Sequence, residues 1–167
     1  MSEGGRPYPR AVNHVGLAVP DLHAAIDWYG KVLGFELFAG PFDLLAGDDD
    51  AGRLLRDVAP GVHRLRLAHL ATGGGVGLEL FQFVDPAADL AASNALPPRS
   101  GWFHICVTDP DPAGLASRIA EHGGRQRSRV WPALGGGPYR FVYAEDPWGN
   151  LIEIYSHDYQ RMYANKG

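Results

Sequence analysis

The sequence predicts an α+β fold made of two βαβββ modules, and three observations carry that prediction. A strand-like run, a Pro/Asp break, a helix and a stopping glycine occur twice, over Ala11–Gly34 and again over Gly101–Gly123. Each half then continues in short runs rich in β-branched and aromatic residues between turn formers, which is strand patterning. A histidine in the first strand and a glutamate in the last also recur at equivalent places in both halves. Such self-similarity is the mark of internal duplication.

The elements follow in order. Ala11–Val19 reads as a strand in which Val15, Leu17 and Val19 alternate with His14, Gly16 and Ala18. Pro20-Asp21 supplies a break and an N-cap. Leu22–Leu33 places Leu22, Ala25, Ile26, Tyr29, Val32 and Leu33 at helical spacing, and Gly34 stands where a helix C-terminus takes a glycine. Phe35–Phe38 is a short second strand. Residues 39–61 read as an irregular loop in which A-G-R-L-L-R-D-V can form a helical turn. Strands resume at His63–Leu70 and, after the Gly73-Gly74-Gly75 turn, at Val76–Val84; the Ala- and Pro-rich residues 85–100 form a linker. In the second half the strands are Gly101–Asp109, a weak Arg125–Trp131, Tyr139–Glu145 and Leu151–Tyr155, with a helix over Pro112–His122. Module 1 thus covers about residues 11–84 and module 2 about 101–156 of a single domain, with terminal arms at 1–10 and 157–167.

Composition excludes several classes. The chain has 167 residues, enough for a sizeable core. A net charge of −4 without a basic stripe argues against nucleic-acid binding. Cys106 is the single cysteine, so no intrachain disulfide forms and a reducing compartment is expected. There is no signal-peptide pattern and no 18-residue apolar run, so the expectation is a cytoplasmic protein that acts without a membrane.

The chemistry gathers at the duplicated positions. The halves superpose His14 on His104, and Glu79 in Gly75-Val76-Gly77-Leu78-Glu79 on Glu153 in Gly149-Asn150-Leu151-Ile152-Glu153. From His14 to Glu79 is 65 residues and from His104 to Glu153 is 49, a difference that the irregular 39–61 stretch absorbs. Two imidazoles and two carboxylates form a coherent ligand set for one divalent ion: zinc, nickel, cobalt, manganese or Fe(II). Each ligand alternates with apolar neighbours, so a sheet packed on one face presents all four on the other. Glu153 follows the turn Asp146-Pro147-Trp148-Gly149-Asn150, which fixes where its strand starts. Cys106 shares a strand face with His104, a place from which it can line the cavity, and reads first as a small buried core residue. His23, His122 and His157 lack a counterpart in the other half and read as surface groups. Trp102, Phe81 and Tyr155 share faces with the ligands.

The motifs N-H-V-G-L-A-V-P-D-L, D-W-Y-G-K-V-L-G-F-E-L, G-L-E-L-F, F-H-I-C-V and F-V-Y-A-E-D-P-W-G-N-L-I-E-I-Y resemble the vicinal oxygen chelate superfamily. That family includes glyoxalase I, bleomycin-resistance proteins and extradiol dioxygenases. The resemblance covers most of residues 12–156 and implies paired βαβββ modules whose curved mixed sheets close around a metal. Its ligand positions fall on His14, Glu79, His104 and Glu153. It further implies a small-molecule substrate and, because half-barrel sheets expose edges, a homodimer. With four ligands the implied activity is that of a glyoxalase I-like lyase or isomerase. The metal polarises a carbonyl, and Glu153 takes the proton from the adjacent carbon.

The same resemblance leaves two alternatives. One is an Fe(II) extradiol-type dioxygenase on a phenolic or polyketide-like substrate, which uses two histidines and one glutamate. The other is a metal-free drug-binding protein. The epimerase-like pattern in this family takes a second base from an acid in the third strand. Here Val62–Arg66 holds no acid, which leaves His63 and His69. Arg64, Arg66, Arg99 and Arg140 are the cations available to a thiol-conjugate carrier, and each also reads as a solvated surface arginine.

Overall fold

The computed structural model describes residues 8–88, 100–133 and 137–163. It divides into two compact units, 1–88 and 89–167, and each is a four- or five-stranded mixed sheet with helices. The duplicated βαβββ order read from the sequence is therefore present, and the boundary falls in the Ala/Pro-rich linker. Residues 89–99 of that linker lie outside the described residues.

Unit 1 runs β1 (His14–Ala18), α1 (Leu22–Leu33), β2 (Glu36–Leu45), α2 (Asp50–Val58), β3 (Arg64–Ala71) and β4 (Gly77–Asp85). Its sheet has the order β1-β4-β3-β2; β1 and β4 are parallel and the other pairs antiparallel. Asp21 caps α1 by accepting a hydrogen bond from the Ala24 backbone N–H at 3.0 Å. Gly34 ends the helix at φ 71°, donating to the Gly30 carbonyl, a conformation that costs glycine little. Leu22, Ala25, Trp28, Tyr29 and Val32 are the buried stripe of this helix. The Gln82 amide shows which sheet face they cover. It accepts from the Leu22 N–H and donates to the Pro20 carbonyl, so α1 starts over the face of β4 that also carries Leu78 and Leu80. Fully burying each such side chain stabilises the fold by roughly 1.5–3 kcal/mol.

Two findings differ from the sequence reading of residues 39–61. The second strand does not stop at Phe38 but continues to Leu45, with register shifts against β3 on either side of Ala39. Pairing to β3 overrides the weak strand propensity of Gly40-Pro41. The A-G-R-L-L-R-D-V run is a full helix, α2, capped by the Asp49 carboxylate on Gly52 N–H at 2.7 Å. Its Leu55 packs with Leu65 and Leu67, against Phe81 and Phe83, on the sheet face opposite α1.

Unit 2 runs β5 (Ile105–Thr108), α3 (Pro112–Glu121), β6 (Arg125–Gln126), β7 (Trp131–Pro132), β8 (Arg140–Glu145), β9 (Leu151–Tyr155) and α4 (Tyr159–Tyr163). The order β5-β9-β8-β6 repeats that of unit 1, with the first and last strands again parallel; β7 also pairs with β8. Asp111 caps α3 as Asp21 caps α1, accepting from Gly114 N–H at 3.0 Å. The Arg125–Trp131 run is two short strands instead of one. The 157–167 segment read as an arm contains α4, whose Met162 is 2% exposed and packs with Ala133 and Tyr155. Among the described residues no helix is long and apolar enough to cross a membrane.

Candidate active site

Each unit brings one histidine and one glutamate together. In unit 1 the Nε2 of His14 lies 3.2 Å from Oε2 of Glu79. The register explains the meeting: Glu79 stands beside Gly16 on the parallel neighbour, and His14 is two residues earlier on that same face. Gly16 bears no side chain, and a Cβ there would stand 3.2 Å from the Phe81 ring. In unit 2 the Nε2 of His104 lies 3.0 Å from Oε2 of Glu153, with Cys106 at the position of Gly16. His104 sits one residue before the first hydrogen-bonded strand position rather than within it.

The cross-strand neighbours complete the comparison. His69 is directly opposite Glu79, with its Nε2 3.6 Å from Oε1 and its ring edge-on to Phe42. Tyr143 is directly opposite Glu153. Sequence reasoning kept His69 only as a stand-in base and missed Tyr143. Pairing strand positions across the last two strands of each half gives the signal that finds both.

Glu153 is 5% exposed. Burial, then the hydrogen bond to Glu153 and its charge, raises the Tyr143 phenol well above its usual range. Burial and then the bond to Tyr163 do the same for Tyr155, with the Glu153 charge adding to it. The Cys106 thiol is pushed up to about 12, first by burial of the sulfur and then by the Glu153 charge. This holds although the residue as a whole is exposed, and it corrects the reading of Cys106 as a core residue: its thiol faces the site. Tyr143, Tyr155 and Cys106 thus keep their protons beside the Glu153 carboxylate, and His104 stands 3.0 Å from it.

The turn before β9 anchors this carboxylate. Asp146 Oδ1 accepts from the Trp148 and Asn150 backbone N–H groups at 2.9 and 2.8 Å, and its Oδ2 accepts from the Asn150 side chain at 2.7 Å. Gly149 takes φ 86°. Beside Glu153 a cavity of about 210 Å³ is lined by Ala133, Phe141, Tyr143, Tyr155, Met162 and Tyr163.

The donor set fits a divalent transition metal. An N···O separation of about 3 Å is that of two adjacent ligands around an ion at ~2.1 Å from each. Both separations come close to it. Nδ1 of His104 is buried without a partner among the described residues, whereas a metal-bound histidine ordinarily donates its second ring N–H to an acceptor. Among the described residues no group of three or more His, Cys, Asp or Glu is gathered as a metal site, so the four expected ligands are met as two His–Glu pairs and not as one set.

Other sequence candidates lie elsewhere. Arg64 and Arg66 pair with Asp43, and Arg140 donates to the Gly137 and Tyr139 carbonyls. Arg99 lies outside the described residues. Trp102 is 92% exposed, while Phe81 packs under α2. His122 and His157 make local hydrogen bonds on the surface.

A family model of the glyoxalase/bleomycin resistance protein/dioxygenase superfamily matches residues 11–154. The chain belongs to that superfamily. A 2-epi-5-epi-valiolone epimerase from Actinomyces sp is 30% identical over 159 residues, 92% of this chain and 83% of that protein. An ethylmalonyl-CoA/methylmalonyl-CoA epimerase from Cereibacter sphaeroides is 30% identical over 145 residues, 86% of this chain and 95% of that protein. Among solved structures, a glyoxalase family protein from Bacillus cereus matches with a TM-score of 0.71 at 21% identity, covering 92% of this chain and 97% of that one. Glyoxalase I from Zea mays matches at 0.59 and 21% identity, covering 87% of this chain and 44% of that one. Both structural likenesses bear on the fold of this superfamily member.

Proposed function

We propose that this chain is a divalent-metal-dependent isomerase that moves a proton at the carbon next to a carbonyl of a small molecule. The observation that carries the reading is the duplicated His–Glu pair, at 3.2 Å in unit 1 and 3.0 Å in unit 2. Two relatives at 30% identity are named epimerases, which favours isomerisation over the lyase and dioxygenase outcomes. Glu79 lies close enough to His14 to act with it, which favours four ligands over the three of a ring-cleaving dioxygenase.

In this reading His14, Glu79, His104 and Glu153 hold the ion. Bound there, the metal supplies Lewis acidity that makes the C–H beside a carbonyl easier to deprotonate. Glu153 accepts that proton, because its carboxylate is fixed by the Asp146 turn and surrounded by groups that keep their own protons. Tyr143 and Cys106 orient it through hydrogen bonds. For inversion at the carbon a second group must return a proton to the opposite face, and β3 offers His69 and no acid. A homodimer in the cytoplasm belongs to the same reading, and sedimentation at micromolar concentration checks the dimer.

Metal analysis of the purified protein tests the assignment. About one divalent ion per chain is expected, falling to a small fraction in the His14→Ala/His104→Ala double variant. Full occupancy in that variant overturns the ligand set. Absence of metal in the wild type, together with tight binding of an unaltered drug-like molecule, favours the metal-free binding alternative.

A further inference from the structure

Resting on the metal-dependent reading above, we propose that Asn13 is a positioning residue for His14. Its amide oxygen holds the ring proton on Nδ1, which leaves Nε2 as the atom that binds a metal. Oδ1 of Asn13 lies 2.9 Å from Nδ1 of His14. A neutral imidazole has one N–H and one lone pair, and an amide oxygen only accepts. The contact therefore draws the proton to Nδ1 and turns the Nε2 lone pair toward Glu79, whose Oε2 is 3.2 Å away. Both ring nitrogens thus face acceptors, and a neutral ring has one proton for the two. A cation at Nε2, a metal ion or a second proton, settles the shortage, and in either case the Nδ1 proton stays with Asn13. Metal-binding histidines ordinarily give their second N–H to such an acceptor, which fixes tautomer and ring angle together.

The backbone makes this contact possible. Successive residues inside a strand point to opposite faces, so an asparagine within β1 would turn away from its neighbour's ring. Asn13 stands just before β1, which begins at His14. Its carbonyl accepts from the Gly77 N–H at 2.8 Å, and Gly77 is the register partner of His14. The dipeptide is pinned through its backbone, while the Asn13 side chain is exposed and can be replaced without touching the core. Unit 2 shows the same position without an acceptor. Superposing the halves puts Phe103 in the place of Asn13. Its ring stands edge-on to His104 at 5.5 Å between centres and offers no oxygen. Nδ1 of His104 is correspondingly buried and unpartnered among the described residues. The two histidines are therefore unequal as ligands: His14 has its tautomer set by a neighbour, and His104 does not.

The test compares the full-length wild type with Asn13→Leu, which keeps the size and loses the acceptor, and Asn13→Asp, which keeps the acceptor. Zinc affinity is measured at neutral pH by competition with a chelating indicator. Asn13→Leu is expected to weaken zinc binding about tenfold, the lower end for loss of an outer partner of a ligand histidine, and Asn13→Asp to bind at least as tightly as wild type. Heteronuclear NMR of the ring nitrogens supplies a signature that a general loss of structure would not give. In the zinc-loaded wild type, His14 should be metal-bound at Nε2 with a slowly exchanging proton on Nδ1, and Asn13→Leu should lose that proton to exchange. The proposal is overturned if Asn13→Leu binds zinc as wild type does, if Asn13→Asp is as weak as Asn13→Leu, or if His14 binds the metal through Nδ1. If Asn13→Leu disturbs folding, Asn13→Asp still decides. A wild type that binds no zinc defeats the metal reading of the site instead. In that metal-free protein an Nδ1 proton protected only when Asn13 is present keeps the tautomer assignment, and an unprotected one removes it.

Discussion

Two glutamates in this chain sit beside histidines in the same register of duplicated sheets, yet their surroundings differ. Glu79 has Gly16 on one side and His69 on the other; Glu153 has Cys106 and Tyr143 at those places. The Glu79 side chain is 16% exposed with its histidine at 50%, against 7% and 29% for Glu153 and His104. The turns that launch the two strands differ as well. Before β4, Thr72 bonds the Val76 carbonyl across three glycines; before β9, the buried Asp146 carboxylate gathers three donors. The duplicated scaffold has diverged into a more open half and a more closed half; in the proposed function the first holds a ligand carboxylate and the second positions a base.

The sharpest way to break this comparison is to neutralise each glutamate. Glu153→Gln keeps the shape and an oxygen donor but cannot accept a proton, so turnover should fall by about 10² to 10⁴. Glu79→Gln should cost mainly metal affinity, about tenfold, with a smaller loss of turnover. Deuterium wash-in at the carbon beside the carbonyl, read with metal content, distinguishes them. Equal losses would mean that the halves are not specialised.

The turns come next. Asp146→Ala strands three donors, two of them buried, and should lower unfolding free energy by about 3 kcal/mol, whereas Thr72→Val should cost about 1 kcal/mol or less. Urea denaturation measures both, and a reversed order would remove the argument that the Glu153 strand is the more firmly anchored. The covering helices give a smaller contrast. Leu55→Ala under α2 should cost about 2–3 kcal/mol globally, while Met162→Ala should free α4 locally. Hydrogen exchange at Tyr159–Tyr163 reports the second.

The smallest effect is electrostatic. Asp43 is held below its usual range by its hydrogen bond to Arg64, helped by the charges of Arg64 and Arg66. A lowered folded-state value means that its stabilisation is present above about pH 3.8 and is lost as pH falls through the folded value. Asp43→Asn should therefore be slightly less stable than wild type at pH 6, with the gap closing toward pH 3. A gap that stays constant in urea midpoints across that range would deny the ion pair any role.

Much of this was legible in the sequence because it rests on local rules. Asp21 and Asp111 announce helix starts, Gly34 announces a stop, and the alternation around Glu79 and Glu153 puts each opposite a core-facing leucine or isoleucine. Local rules fail where pairing decides: Ala39–Leu45 is strand only because β3 lies beside it, and nothing in the neighbouring sequence places Gly40-Pro41 there. Tyr143 escaped attention, and His69 stood only as a substitute base, for the same reason, since their importance comes from the residue across the ladder. Met162 reads as tail until Ala133 and Tyr155 give it somewhere to pack.

Gly77 carries a consequence for how this chain can vary. It faces His14 across the parallel strands, and a methyl group built on its Cα would stand 3.2 Å from the His14 Cβ. That approach is tight enough that either strand must yield by a few tenths of an ångström. A substitution that leaves all four proposed ligand residues intact would still displace one imidazole. In a library screened for altered metal preference, position 77 thus behaves as a setting screw on the site, although the residue itself has no side chain to offer.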